Sequence, residues 1–337
     1  MGVVDMMLLK TDPPEGWIDL GIGEAHLTRD MLIKATCWMG GFDIADRMED
    51  MQYPRAKGEK GLLKFLQEKY NTDHVVITTG AKHAVSGALY ALKNAKGIQK
   101  VYVPKPHWLS FPTLIRHEGL IRVDNLEEAD AVIFTSPNNP DGHLVKPELL
   151  AQVKQRGIPI IFDYAYNVPQ YLDGESVLPH DGDVHAYSYA KTYGLSGVRV
   201  GYVVCRDIDI CTQIEEFVEI TTSGVALPSQ WFIELIERYI QSDERVRNEF
   251  YTSCRQQLEI NRKIVRTINP EVLDTSNVSN YGMFVFLKGG PKVEKVEQAK
   301  VKLIEGEAFG IPGYYRLSLG VNPSMLQEAV DRINNEL

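Results

Sequence analysis

The 337-residue sequence predicts an α/β protein with a large, mostly parallel sheet domain and a smaller α+β domain. Two observations support this prediction. From about residue 60 to residue 205, short apolar runs rich in β-branched or aromatic residues alternate with longer segments of helical periodicity. The composition, 44% hydrophobic, also supplies enough apolar side chains for a sizeable core. We therefore expect a sheet that is covered by helices on both faces.

The predicted elements are bounded by turn residues. The predicted strands of the large domain are 75–79, 100–103, 131–135, 158–162, 185–189 and 198–204, and the predicted helices are 60–70, 84–94 and 146–156. A longer helical segment, from 228 to about 268, is interrupted at Ser242 and Asp243 and leads into the smaller domain. That domain is predicted from apolar stretches at 283–287 and 315–319 and a closing helix from Ser324. We place the large domain at residues 30–242 and the small one at 1–29 and 243–337.

Charge and cysteine usage narrow the class of function. A net charge of -9 without a Lys/Arg block argues against nucleic acid or an anionic membrane as a partner, so small molecules are favoured. The four cysteines are scattered and predict neither a disulfide framework nor a metal site: Cys37, Cys205, Cys211 and Cys254. Neither a signal peptide nor a membrane span is evident, which predicts a cytoplasmic protein.

One lysine and one arginine lie just beyond a predicted apolar strand. Lys191 follows the strand at 185–189, and Arg199 comes eight residues later. An ε-amine condenses with an aldehyde, and a planar guanidinium binds a phosphate through paired hydrogen bonds. The pair therefore suits an aldehyde that carries a phosphate, namely pyridoxal 5′-phosphate (PLP).

The surrounding residues resemble a known family. From Ser188 to Gly201 the chain has the pattern S-x-x-K followed by G-x-x-G-x-R-x-G, which is the Schiff-base motif of the class I/II aminotransferases, the aspartate aminotransferase-like enzymes of PLP fold type I. The resemblance implies a Schiff base on Lys191 and phosphate contacts from Ser188 and Arg199. It also implies a large sheet of seven strands, flanked by helices, and a smaller segmented domain.

Two further segments match the part of the family's site that holds the cofactor ring. Asp163 ends an apolar run, where a carboxylate is costly to bury unless it is paired. The resemblance implies that Asp163 keeps the ring nitrogen protonated, and that Tyr166 and Asn139 hydrogen-bond the ring O3′. The resemblance also places Asn139 beside the substrate. Asp141 stands where the family has a threonine. The alternative for Asp163 is a helix N-cap.

The segment Gly80, Ala81 and Lys82 joins a predicted strand to a helix start, where backbone N–H groups and the helix dipole favour a phosphate. The resemblance implies that this segment forms the phosphate cup. Lys82 matches a lysine that some members aim at the distal carboxylate of a substrate, and its alternative is a solvated lysine. Trp108 matches the aromatic residue that stacks on the PLP ring, and its indole N–H could reach a substrate carboxylate. The alternative for Trp108 is a core tryptophan.

The remaining matches concern the substrate and a second subunit. Arg316 lies in an alternating strand and matches the clamp on the substrate α-carboxylate, where a salt bridge is the alternative. Gly23 belongs to the segment whose backbone flanks the same carboxylate, and His26 departs from the family there. Tyr53 resembles the tyrosine that reaches the PLP phosphate of the partner chain, which implies a homodimer.

The resemblance implies an aminotransferase that moves an amino group between an L-amino acid and a 2-oxo acid. Lys191, Asp163 and Tyr166 are the candidate catalytic residues, and Lys191 moves the substrate Cα proton. Two alternatives stay open at the level of the sequence. One is another PLP reaction on the same fold, such as that of a β-lyase, decarboxylase or cyclase. The other is a PLP-binding regulator, for which no DNA-binding appendage is evident.

Overall fold

The computed structural model of the chain describes residues 13–23, 51–172 and 181–335. The strands in chain order are β1 Ile18–Asp19, β2 Val75–Thr78, β3 Lys100–Tyr102, β4 Ile121–Val123, β5 Ala131–Thr135, β6 Ile160–Asp163, β7 Val184–Ser188, β8 Gly201–Cys205, β9 Leu273–Asp274, β10 Phe284–Gly289, β11 Val301–Lys302, β12 Ile304–Glu305 and β13 Tyr314–Ser318. The α-helices are α1 Lys60–Tyr70, α2 Ala81–Lys96, α3 Phe111–His117, α4 Pro147–Arg156, α5 Tyr189–Thr192, α6 Ile208–Thr222, α7 Leu227–Ser242, α8 Glu244–Val265, α9 Lys295–Gln298 and α10 Pro323–Asn335.

The large sheet has seven strands in the order β2-β8-β7-β6-β5-β3-β4. The strands from β7 to β4 are all parallel, and only β8 runs antiparallel to its two neighbours. This arrangement confirms the predicted mostly parallel sheet of seven strands. Strands β5, β6 and β7 are parallel and end at Thr135, Asp163 and Ser188. These residues therefore lie at the same edge of the sheet, the one formed by the carboxyl ends of the strands, where open α/β sheets bind ligands.

Helices cover both faces of this sheet. Neighbouring residues of β2 face opposite sides: Val76 joins the apolar cluster that contains helices α2 and α6, whereas Ile77 joins the cluster that contains α1 and α7. The strands are buried on both faces and therefore consist of apolar runs without alternation. Among the described residues, no helix combines the length and the apolar character that crossing a bilayer requires.

A smaller α+β unit follows the large sheet. It has a four-stranded sheet in the order β12-β13-β10-β9, whose apolar face packs with helices α8 and α10. Strand β1 pairs in parallel with β11, which lies between α9 and β12 in the chain. The interruption at Ser242 and Asp243 is also confirmed, because α7 ends there and the Asp243 side chain caps α8. The exact domain boundaries stay predictions.

Several predicted bounds differ from the structure for local reasons. The strand predicted from Val198 begins at Gly201, because Ser196–Val198 forms a 3-10 turn and Arg199 has a positive φ of 58°. The helix predicted from Ala84 begins at Ala81, directly after Gly80 with a φ of 99°. This earlier start brings Lys82 into the first helical turn. Helices α3 and α6 and strand β4 were not predicted.

Candidate active site

Lys191 lies in α5, a single helical turn that follows β7 at the ligand-binding edge of the sheet. Its ammonium group donates a hydrogen bond to the carbonyl oxygen of Gly23. A Cβ atom built on Gly23 would lie 4.0 Å from the Lys191 Nζ atom. The two predicted site residues, 168 positions apart in the chain, are therefore neighbours in the structure.

Asp163 is the last residue of β6, and its side chain is buried, with 4% of the residue exposed. Its Oδ1 atom accepts the N–H of Ala165 at 3.0 Å. Burial raises the pKa of Asp163 to about 6, while the backbone hydrogen bond and the charge of Lys191 lower it. A turn follows Asp163 instead of a helix, so the alternative of a helix N-cap is wrong. A buried carboxylate of this kind suits a cationic partner.

A hydrogen-bond network connects the small sheet to the large one at this edge. Arg316, on β13, donates from Nη1 to Oδ1 of Asn139 at 3.0 Å and from Nη2 to the carbonyl of Gly21 at 2.7 Å. The Asn139 Nδ2 atom in turn donates to the Tyr166 hydroxyl oxygen at 3.2 Å. Burial raises the pKa of Tyr166, so its hydroxyl keeps the proton and can itself donate.

The Arg316 guanidinium is held in an aromatic and largely buried environment. Its Cζ atom lies 4.3 Å from the ring centre of Phe284 and 5.2 Å from that of Phe309. Burial lowers the pKa of Arg316 to about 10, so the group stays charged at neutral pH. Its Nε atom is buried, and no hydrogen-bond partner for it exists among the described residues. A cation with a remaining donor is suited to an anion such as a carboxylate.

A second cationic corner lies where β2, β8 and α2 meet. Gly80 is the N-cap residue of α2, and a Cβ atom there would lie 3.0 Å from Nη2 of Arg199. The guanidinium of Arg199 donates from Nη2 to the Thr79 carbonyl at 3.0 Å and from Nη1 to the Ser196 carbonyl at 2.7 Å. Ser188 is buried and pairs with Gly201 in the neighbouring strand. A helix N-terminus and a guanidinium therefore meet at one position, which suits a phosphate, and Ser188 lies on the strand next to it.

Lys82 and Trp108 also lie side by side. The Lys82 Nζ atom is 5.3 Å from the centre of the Trp108 ring. Trp108 packs edge to face against Phe111, with ring centres 5.4 Å apart, and stays half-buried. Trp108 therefore packs on the edge of the apolar core, and its ring also faces a lysine at the helix start that forms the phosphate corner.

These features fit PLP. The buried carboxylate of Asp163 suits a protonated ring nitrogen, the Lys191 amine suits the aldehyde, and the corner at Arg199 suits the phosphate. Because Gly80 has no Cβ atom, space is left next to that guanidinium. A separate cavity of about 930 Å³ opens where β3 and β6 begin, away from the end of β6 at Asp163, and none of the predicted site residues lines it.

Tyr53 lies on the surface of the described residues, with 91% of its own surface exposed. His26 lies outside the described residues. Conversely, sequence reasoning missed Gly21, which accepts from Arg316, and Phe284, which lies beneath it. The pairing of β10 with β13 places Phe284 on the same face as Arg316, because Phe286 lies opposite Arg316 and alternate residues of a strand share one face.

The chain matches a known protein family and several of its members. The family model for aminotransferase class I and II matches residues 15–333. An aspartate aminotransferase of Thermotoga maritima is 28% identical over 317 residues, covering 82% of this chain and 80% of the relative. A probable aspartate/prephenate aminotransferase of Aquifex aeolicus is 27% identical, covering 95% of this chain and 91% of the relative.

The same fold occurs in solved structures. The aspartate aminotransferase from Thermus thermophilus with maleate has a TM-score of 0.80 at 19% identity and covers 99% of this chain and 94% of its own. The aspartate aminotransferase from Thermotoga maritima has a TM-score of 0.75 at 23% identity, covering 96% and 92%. Because the family match spans nearly the whole chain, this protein belongs to the class I and II aminotransferase family and is a PLP-dependent aminotransferase.

Proposed function

We propose that this aminotransferase takes an acidic L-amino acid, aspartate or glutamate, as amino donor and passes the amino group to a 2-oxo acid. The observation that supports the choice of an acidic donor is the second cation at the site, Lys82, in addition to Arg316. A dicarboxylic substrate has two anionic groups, and each of them would need a cation to offset the loss of hydration. The names of the Thermotoga and Aquifex relatives support the same class of substrate.

The roles follow from the environment of each residue. Arg316 would bind the substrate α-carboxylate, because it is charged, buried and has a donor left over. PLP supplies an electron sink that acidifies the Cα–H bond of the bound amino acid. Asp163 would hold the proton on the ring nitrogen, and Tyr166 and Asn139 would orient the ring through hydrogen bonds. Lys191 would bind PLP covalently and, once displaced, move the Cα proton as a general base.

Lys82 would act on the distal carboxylate. The indole ring of Trp108 holds the ammonium at the start of α2 by a cation–π contact, and an ammonium group is a strong hydrogen-bond donor to an anion. Its position in the first turn of α2 adds the positive end of the helix dipole. A lysine binds such an anion as a point charge, so we expect it to accept either chain length.

For Lys82→Ala, we expect a loss that depends on the substrate. The kcat/KM for aspartate and glutamate should fall by about 10-fold or more, the effect of losing one charge-assisted hydrogen bond, while kcat/KM for alanine should change little. Single-turnover measurements that follow the visible absorption of the bound cofactor with each amino acid would test this.

The matched control is Lys96→Ala at the other end of the same helix, where the ammonium faces Asp207 at 3.7 Å. This variant should leave the ratio of acidic to neutral donors unchanged. An equal loss for all donors in Lys82→Ala would show that Lys82 serves the cofactor and not the side chain of the substrate.

Asp163 gives a pH dependence that can be measured without catalysis. In the PLP-free protein its pKa is about 6, above the ordinary value of 3.8, so the folded state binds the proton more tightly than the unfolded chain. Its contribution to the free energy of unfolding therefore falls as the pH rises from about 4 to 6, by about 3 kcal/mol in total. We expect PLP-free Asp163→Asn to be more stable than the PLP-free wild type at pH 8 and nearly equal to it at pH 4.

Urea unfolding of both PLP-free proteins across this pH range would test the prediction. The same substitution should weaken PLP binding, because the amide cannot pair with a ring cation. The matched control is Asp73→Asn, at an exposed position between α1 and β2. Equal stability of Asp163→Asn and the wild type at pH 8 would contradict a buried, destabilising carboxylate.

We propose that the active protein is a homodimer in which Tyr53 completes the phosphate corner of the partner. The support is its exposure of 91% next to Pro54, which packs against Gly224 beyond the end of α6. Such a large exposed aromatic side chain is typical of an interface.

Subunit mixing would test this proposal. Tyr53→Ala and Lys191→Ala should each be nearly inactive, and hybrid dimers should contain one complete site. Mixing after mild dissociation should therefore restore about a quarter of the wild-type activity, since half of the dimers are hybrids with one of two sites intact. A lack of recovery despite hybrid formation would show that Tyr53 acts within its own chain or not at all.

A further inference from the structure

A short 3-10 turn, Pro169–Tyr171, lies directly behind the helical turn that carries Lys191. The Tyr171 hydroxyl donates to the main-chain carbonyl of Lys191 at 2.8 Å. The Gln170 side chain donates from Nε2 to the next carbonyl, that of Thr192, at 2.8 Å. The side chains of two adjacent residues therefore bond two adjacent main-chain carbonyls, one of which belongs to Lys191.

These two hydrogen bonds supply partners for carbonyl groups at the end of helix α5. Helix α5 has only four residues, so the carbonyls at its C-terminal end have no partners within a continuing helix. Tyr171 and Gln170 are both buried, with 1% and 2% of their surface exposed, so water is a poor substitute for them. The peptide from which the Lys191 side chain extends is thereby fixed by side chains from outside its own element.

Tyr171 also contacts Tyr166 and the segment that leads into strand β10. Its ring packs edge to face on Tyr166, with ring centres 6.1 Å apart. Its carbonyl oxygen accepts the N–H of Gly282 at 2.8 Å, just before strand β10. Strand β10 carries Phe284, the ring beneath the Arg316 guanidinium. One residue is therefore bonded to the lysine peptide and to the segment that supports the carboxylate clamp.

We propose that Tyr171 is a positioning residue that fixes the Lys191 amine relative to Arg316 and Tyr166. The inference rests on the proposed role of Lys191. The hydroxyl sets the lysine peptide, and the main-chain carbonyl of Tyr171 holds Gly282. Loss of the hydroxyl alone therefore affects the lysine and leaves the carboxylate clamp in place. Small errors in the placement of a reacting group reduce rates strongly, so this anchor bears on kcat more than on KM.

The test is Tyr171→Phe, which removes one oxygen atom and keeps the ring. When PLP is mixed with the PLP-free variant, the rate at which the visible band of the lysine-bound cofactor appears should fall about 3- to 10-fold, in line with the loss of one hydrogen bond. The kcat should fall by a similar factor, and the KM for the amino donor should stay unchanged.

The matched control is Tyr70→Phe, which removes a hydroxyl that bonds the Tyr202 hydroxyl at 2.8 Å and leaves the Lys191 carbonyl with its Tyr171 partner. It should change the melting temperature without changing the rate of band formation or kcat. A Tyr171→Phe variant with a lowered melting temperature but unaltered rates, like Tyr70→Phe, would overturn the proposal.

Borohydride reduction followed by peptide mapping separates this inference from the function on which it rests. Both variants and the wild type should carry the reduced adduct on Lys191. An adduct on another lysine would contradict the assignment of Lys191 itself. An adduct on Lys191 together with unaltered rates in Tyr171→Phe would contradict the positioning role alone.

Discussion

The burial of opposite charges in one small region is the constraint on which the rest of this structure depends. Asp163 and Arg316 are 4% and 6% exposed, and the positive charge of Lys191 acts on Asp163. Each buried ion costs free energy unless another group offsets it. The raised pKa of Asp163 and the lowered pKa of Arg316 both show that the protein alone does not offset the cost fully. A cationic ring and an anionic substrate would complete the compensation.

The fold provides two rigid frames for these charges. In the parallel sheet, β6 and β7 end at Asp163 and Ser188, which therefore lie at the same edge. Apolar layers on both faces of the sheet fix the strands. The small sheet supplies Arg316, and the hydrogen bond from Arg316 to Asn139 joins the two frames across 177 residues of sequence. Because the guanidinium also bonds Gly21, the N-terminal segment is tied to the same point. The site therefore depends on how the two sheets are packed together.

Much of this arrangement could be predicted from the sequence, and the exceptions have physical reasons. Strand β5 is apolar from Ala131 to Phe134 and can be recognised in the sequence, whereas β4 has three residues of which only Val123 is buried. Helix α6 was missed although Asp207 gives an N-cap signal. The motif around Lys191 is a continuous stretch of sequence, so it can be recognised without the structure. The bond from Tyr171 to Lys191 and the contact of Lys82 with Trp108 depend on tertiary packing, for which no periodicity exists in the sequence.

The most direct test of the central claim is a crystal structure of the protein grown with PLP. We expect continuous density from the Nζ atom of Lys191 to the cofactor, the Asp163 carboxylate within hydrogen-bond distance of the ring nitrogen, and the phosphate at the corner formed by Gly80, Ser188 and Arg199. Density that joins the cofactor to another lysine, or a ring nitrogen that faces away from Asp163, would contradict the account of buried charges as a preformed cofactor site.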